Sequence, residues 1–105
     1  MSKYLSTEDI TESEFLTVVK FIHDDRTDIE LRYWPAGTEK ASHSRQEEKY
    51  WSKRIAEVIG TKCLKDTAEH PWLKQNAEEN AWYFEEHELD KVLEYFTILT
   101  LAMEP

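Results

Sequence analysis

Four histidines, one cysteine and several carboxylate pairs are the groups in this chain that could do chemistry. His23, followed by Asp24 and Asp25, offers the nearest approach to a metal-ligand cluster. It lacks a second ligand one helical turn away or a paired motif elsewhere, which zinc and other transition-metal sites need, so no metal site is expected. His43, His70 and His87 share no ligand spacing with it. Cys63 stands alone, and a lone cysteine is more often a small buried hydrophobe than a nucleophile. The acids come as Glu8-Asp9, Asp24-Asp25, Glu47-Glu48, Glu78-Glu79 and Glu85-Glu86. Neighbours on a helix point about 100° apart. Such pairs do not face one another as the acid and base of glycoside hydrolysis must. There is no glycine-rich phosphate loop. The sequence supports neither an enzyme nor a cofactor.

A different constellation points to binding. Residues 78–88 place Trp82-Tyr83-Phe84 between Glu78-Glu79 and Glu85-Glu86. On a helix, Trp82 would have those four carboxylates at i−4, i−3, i+3 and i+4, its surface neighbours. Trp is over-represented among interface hot spots, so an acid-ringed indole is a candidate anchor for a basic protein partner. The alternative is that Trp82 lies half-buried beneath the glutamate stems. Charge points the same way. The chain carries −9, with −4 over residues 1–37, +3 over 38–65 and −8 over 66–105. Direct nucleic-acid binding needs a dominant basic patch, which this balance opposes. An acidic half favours a basic partner and faster encounter, although solubility alone also explains it.

The elements that must position these residues read as mainly helical. Only Gly37 and Gly60 are available for positive-φ turns, with Pro35, Pro71 and Pro105 the prolines, and β-rich domains usually need more turn residues. Thr11 and Glu14 fit a capping box, with Ile10 and Phe15 as its hydrophobic staple. Phe15, Val18, Val19 and Ile22 then recur at helical spacing. Ser44 and Glu47 repeat the box before a helix over 45–59, with Trp51, Ile55, Val58 and Ile59 on one face and Gly60 as terminator. A short piece over 61–69, a helix from Pro71 through Phe84, and a last helix over 88–102 complete a single-domain bundle of four to five helices spanning residues 1–105. Leu89, Val92, Leu93, Phe96, Leu99 and Met103 form the inward stripe of the last helix. Ile98 and Leu101 fall off that stripe, so its final turn is buried on two sides, is a strand, or forms a homodimer contact. One segment favours strands: Ile29, Leu31 and Tyr33 alternate with Glu30, Arg32 and Trp34, and residues 15–22 are rich in β-branched and aromatic types. An α+β fold with a hairpin over 15–34, turning through His23 to Thr27, is the alternative. Residues 36–46 read as a surface loop. No apolar run of membrane-spanning length occurs, no leader is visible, and one cysteine suits a reducing compartment, so a cytoplasmic location without membrane contact is expected.

The stretch Asp9-Ile10-Thr11-Glu12-Ser13-Glu14-Phe15-Leu16, with Val18-Val19-Lys20-Phe21-Ile22 after it, resembles the first helix of the colicin and pyocin DNase immunity proteins. Thr27-Asp28 followed by Tyr33-Trp34-Pro35 is similar to that family's aromatic pair ahead of a proline, and Glu69-His70-Pro71 to its Glu-His-Pro, though here the order of the two is reversed. The resemblance implies a four-helix fold, a nuclease toxin as the basic partner, and Tyr33 and Trp34 as contacts. The leading expectation is thus a small acidic immunity or inhibitor protein acting by occlusion. The alternatives are an inhibitor of a defence nuclease that mimics DNA with its carboxylates, and a structural or regulatory subunit assembling through its apolar C-terminal turn.

Overall fold

The computed structural model describes residues 3–60 and 80–104. It shows an α+β fold with a four-stranded antiparallel sheet, not a bundle of four to five helices. In chain order the elements are β1 (Tyr4–Glu12), β2 (Leu16–His23), β3 (Thr27–Tyr33), α1 (Arg45–Ile59), β4 (Ala81–Glu85), a 3-10 turn (Glu86–Glu88) and α2 (Leu89–Met103). The strands lie in the order β1-β2-β3-β4.

The expected first helix is two strands. Its helical spacing of Phe15, Val18, Val19 and Ile22 coexists with a period of two, and pairing with β3 selects the latter. Leu16 lies opposite Tyr33, Val18 opposite Leu31, and Val19 opposite Glu30. Leu16 and Val18 are therefore buried on one face while Val19 turns to the other. Thr11 sits in β1 opposite Val18, and Glu14 lies in the turn between β1 and β2, so no capping box forms there. The Ser13 amide donates to the Leu16 carbonyl at 2.8 Å to close that turn. β2 and β3 form the hairpin, turning through Asp24, Asp25 and Arg26, with the His23 amide donating to the Arg26 carbonyl at 2.8 Å.

Both helices cover one face of the sheet. Leu16 and Val18 of β2, Ile29, Leu31 and Tyr33 of β3, and Phe84 of β4 pack there against Ile55 and Ile59 of α1 and Val92, Tyr95 and Leu99 of α2. Burying each of these side chains contributes roughly 1.5–3 kcal/mol. The α1 start is as expected: the Ser44 hydroxyl accepts from the Glu47 amide and the Glu47 carboxylate from the Ser44 amide. Gly60 at φ +72° ends the helix. α2 begins one residue later than expected, and its deepest residues include Tyr95, which the stripe had omitted. Ile98 and Leu101 are exposed on its outer side.

Residues 35–44 form a loop fastened to the β1–β2 turn. The Thr38 amide donates to the Glu14 carbonyl at 2.7 Å and its hydroxyl to the Ser13 carbonyl at 3.0 Å. Gly37 takes φ +74°, and a Cβ there would clash with the Ala41 carbonyl oxygen. Only glycine fits that turn. The expected helical pieces over 61–69 and 71–79 lie outside the described residues, while residues 81–84, assigned to the end of that helix, belong to β4. No helix among the described residues is long and apolar enough to cross a membrane.

Candidate partner-binding face

Strand alternation divides each aromatic pair between the two faces of the sheet. Tyr33 and Trp82 fall on the helix side, Trp34 and Tyr83 on the other, which carries no helix among the described residues and is here called the open face. Trp82 lies opposite Leu31 and packs half-buried against the core, so it is not an indole ringed by carboxylates. The i±3 and i±4 relation that would have gathered the acids does not exist in a strand. Glu78 and Glu79 lie outside the described residues. Glu85 closes β4 opposite Asp28, and Glu86 opens the 3-10 turn, where its carboxylate stands 3.8 Å from Lys20 Nζ.

Tyr33 is a core residue too. Its hydroxyl shares a 2.6 Å hydrogen bond with His43 Nδ1, and the His43 ring stacks on Phe15 with centroids 3.6 Å apart. Burial, then the nearby Glu48 and Glu47, push the Tyr33 phenol well above its usual range. The residue is a neutral peg holding the loop, not a surface contact. Its neighbour Trp34 is 40% exposed and is held in place: its indole N–H donates to the Thr17 hydroxyl at 2.9 Å, and its amide to the Phe15 carbonyl at 2.7 Å. The Arg32 guanidinium lies 5.3 Å from the Trp34 ring centroid, within cation–π range.

Behind Trp34 runs a polar network that sequence reasoning missed. Glu30 receives Arg32 through two parallel bonds of 2.9 Å, and its Oε2 also accepts the Tyr83 hydroxyl at 2.8 Å. Glu30 and Tyr83 are directly opposite in the β3–β4 pairing and both are buried. Burial first, then the Glu30 charge, push the Tyr83 phenol far up, which makes it a hydrogen-bond donor and not a base. Further along the same face, buried Asp28 accepts Arg26 Nε at 3.1 Å and lies 3.7 Å from His23 Nε2. The signal for both pairs was an acid and a base two residues apart, Glu30 with Arg32 within β3 and Asp28 in β3 with Arg26 in the turn before it; it becomes legible once the segment is read at period two.

The open face is bordered by acids. β1 contributes exposed Asp9 and Glu12, and the far edge exposed Glu85, while Glu8 and Glu86 lie near Lys20 on the helix side. Beside a register break in β1 at Ile10, a cleft of about 280 Å³ is lined by Asp9, Ile10, Thr11, Glu12, Thr17 and Val19. Thr17 joins this cleft to Trp34. Of the histidine groupings, Asp24 and Asp25 are exposed at the hairpin tip while His23 is buried, so that triplet does not converge. Glu85, His87 and Glu88 bring one ligand atom each within 4.8 Å of one another. All three come from one surface turn, and the Glu88 carboxylate already accepts the Glu85 amide at 3.3 Å. Cys63 and His70 lie outside the described residues.

No family model, curated protein or solved structure matches this chain. The residues that resemble the first helix of the DNase immunity proteins fold here as β1, the following turn and β2.

Proposed function

We propose that the protein is a small acidic inhibitor that binds a basic protein partner and acts by occlusion. The observation that carries this reading is the open face: an exposed, immobilised Trp34 beside a cleft edged by Asp9 and Glu12. Acids at the border steer a basic partner, and a fixed aromatic supplies contact area at little further loss of freedom. Trp34 thus takes over the anchoring role expected of Trp82, with Glu85 at the opposite border. Tyr33, Trp82 and Tyr83 become supports of the face. A nuclease toxin as the partner rests on the family resemblance alone, so the proposal names the partner by its charge. The single cysteine supports a cytoplasmic setting.

The test is affinity capture from host lysate with the wild type and with Trp34→Ala and Asp9→Asn/Glu12→Gln variants. The reading expects one basic protein retained at low salt, released at high salt, and lost from both variants. Equal retention by all three proteins would refute it. A second reading has its own observation: Ile98 and Leu101 are 53% and 63% exposed on the outer side of α2. Assembly through that side would appear as a concentration-dependent mass abolished by Leu101→Glu.

A further inference from the structure

β1 ends the sheet. Its far edge has no strand neighbour among the described residues, and the strand is nine residues long. Every residue from Tyr4 to Asp9 is exposed. An edge of this kind presents unpaired backbone donors and acceptors to any extended chain. Register breaks at Leu5 and Ile10 leave Ser6, Thr7, Glu8 and Asp9 as a regular stretch between them. Such breaks and edge charges are devices by which proteins prevent indiscriminate pairing.

The charges on this edge are of one sign. Between Tyr4 and Glu12 the strand carries Glu8, Asp9 and Glu12 and no lysine or arginine. Glu8 lies opposite Lys20 on the helix side, whereas Asp9 lies opposite Val19 on the open face. A second copy of β1 laid along this edge would bring acids against acids, which is unfavourable in directly opposed pairs. An extended segment bearing lysine or arginine meets complementary charge. The cleft beside Ile10 opens next to this edge, with carboxylates of Asp9 and Glu12, hydroxyls of Thr11 and Thr17, and the apolar Val19. That mixture suits the aliphatic stem and charged head of one basic side chain.

We infer that β1 receives a basic extended segment of the partner as a fifth strand, with alternate lysine or arginine side chains on the open-face side and one of them in the Asp9–Glu12 cleft. The inference rests on the reading of the protein as a binder of basic partners and adds the mode of binding. Main-chain pairing supplies affinity and the alternating side chains supply selection, the division of labour typical of strand addition.

A short synthetic peptide alternating lysine with valine and threonine tests it, alongside the same peptide N-methylated on every backbone nitrogen. Amide hydrogen exchange of the protein is followed residue by residue. The expected result is slowed exchange at alternate positions within Ser6–Asp9, loss of binding by the methylated peptide, and about a tenfold weaker affinity for Asp9→Asn/Glu12→Gln. Equal binding of both peptides, unchanged exchange along β1, no binding at low salt, or protection of β1 by the protein's own concentration would each overturn it. Capture of a basic partner that needs Asp9 and Glu12 but leaves β1 exchange unchanged would defeat the strand addition while sparing the broader reading. Capture indifferent to those acids would defeat both.

Discussion

Replacing Glu30 by glutamine removes one charge from the middle of the open face while keeping the shape of the side chain. In the native protein the Glu30 and Arg32 side chains are 4% and 12% exposed, so solvent screens their interaction little. Glu30 accepts two bonds from Arg32 and one from Tyr83. Removing one member of a buried ion pair typically costs about 3–5 kcal/mol, because the other charge stays desolvated. Glutamine retains an acceptor oxygen for the Tyr83 hydroxyl, which places Glu30→Gln at the lower end, about 3 kcal/mol. Arg32→Met should cost a similar amount. The double variant should lose far less than the sum, because two uncharged side chains of similar volume replace the pair. Urea unfolding of the four proteins gives the coupling energy as a double-mutant cycle. We expect about 2 kcal/mol or more of coupling, against a total stability of roughly 5–15 kcal/mol for a domain. Additive losses within about 0.5 kcal/mol would show that the pair is not an energetic unit, and would refute the account of how Trp34 and the face behind it are held.

The Tyr33 and Tyr83 phenols both titrate above their ordinary range in the fold, so each contributes stability that is intact below about pH 10 and is lost as pH rises beyond it, by about 1.4 kcal/mol per pH unit per tyrosine. Urea midpoints between pH 9 and 11 should fall accordingly, and Tyr83→Phe should remove about half of the slope. Gly37→Ala should destabilise by more than about 2 kcal/mol, combining the cost of a positive φ with the clash at the Ala41 carbonyl; an unchanged melting temperature would contradict the loop geometry. Ser44→Ala should cost about 1 kcal/mol through loss of the α1 cap, measured by thermal unfolding.

What the sequence made legible follows from how local each signal is. α1 was readable because its cap, its apolar face and its terminator all lie within residues 44–60 and agree. The last helix was readable from its long apolar period. Residues 15–22 were not, because Phe15, Val18, Val19 and Ile22 satisfy a helical period while Leu16 and Val18 satisfy a strand period, and only the partner strand decides. Thr11 and Glu14 imitate a capping box with no helix behind it, since a four-residue pattern carries no information about what pairs alongside. The error at Trp82-Tyr83-Phe84 has the same origin: as a helix the segment gathers four acids around Trp82, and as a strand it sends Trp82 into the core and Tyr83 to Glu30. Trp34 keeps its place in the candidate site under either reading. The network of Glu30, Arg32 and Tyr83 needed the β3–β4 pairing, which joins residues more than fifty positions apart, and no local pattern encodes that.

The most direct test of the central claim is the salt dependence of association with the captured basic partner, measured by stopped-flow Trp fluorescence for wild type and for Asp9→Asn/Glu12→Gln. The account predicts that raising ionic strength from about 0.01 to 0.15 M slows wild-type association steeply, and that the neutralised variant associates slowly with little response to salt. A wild-type rate indifferent to salt, or a variant as fast as the wild type, would contradict the assignment of the acid-edged open face as the docking surface.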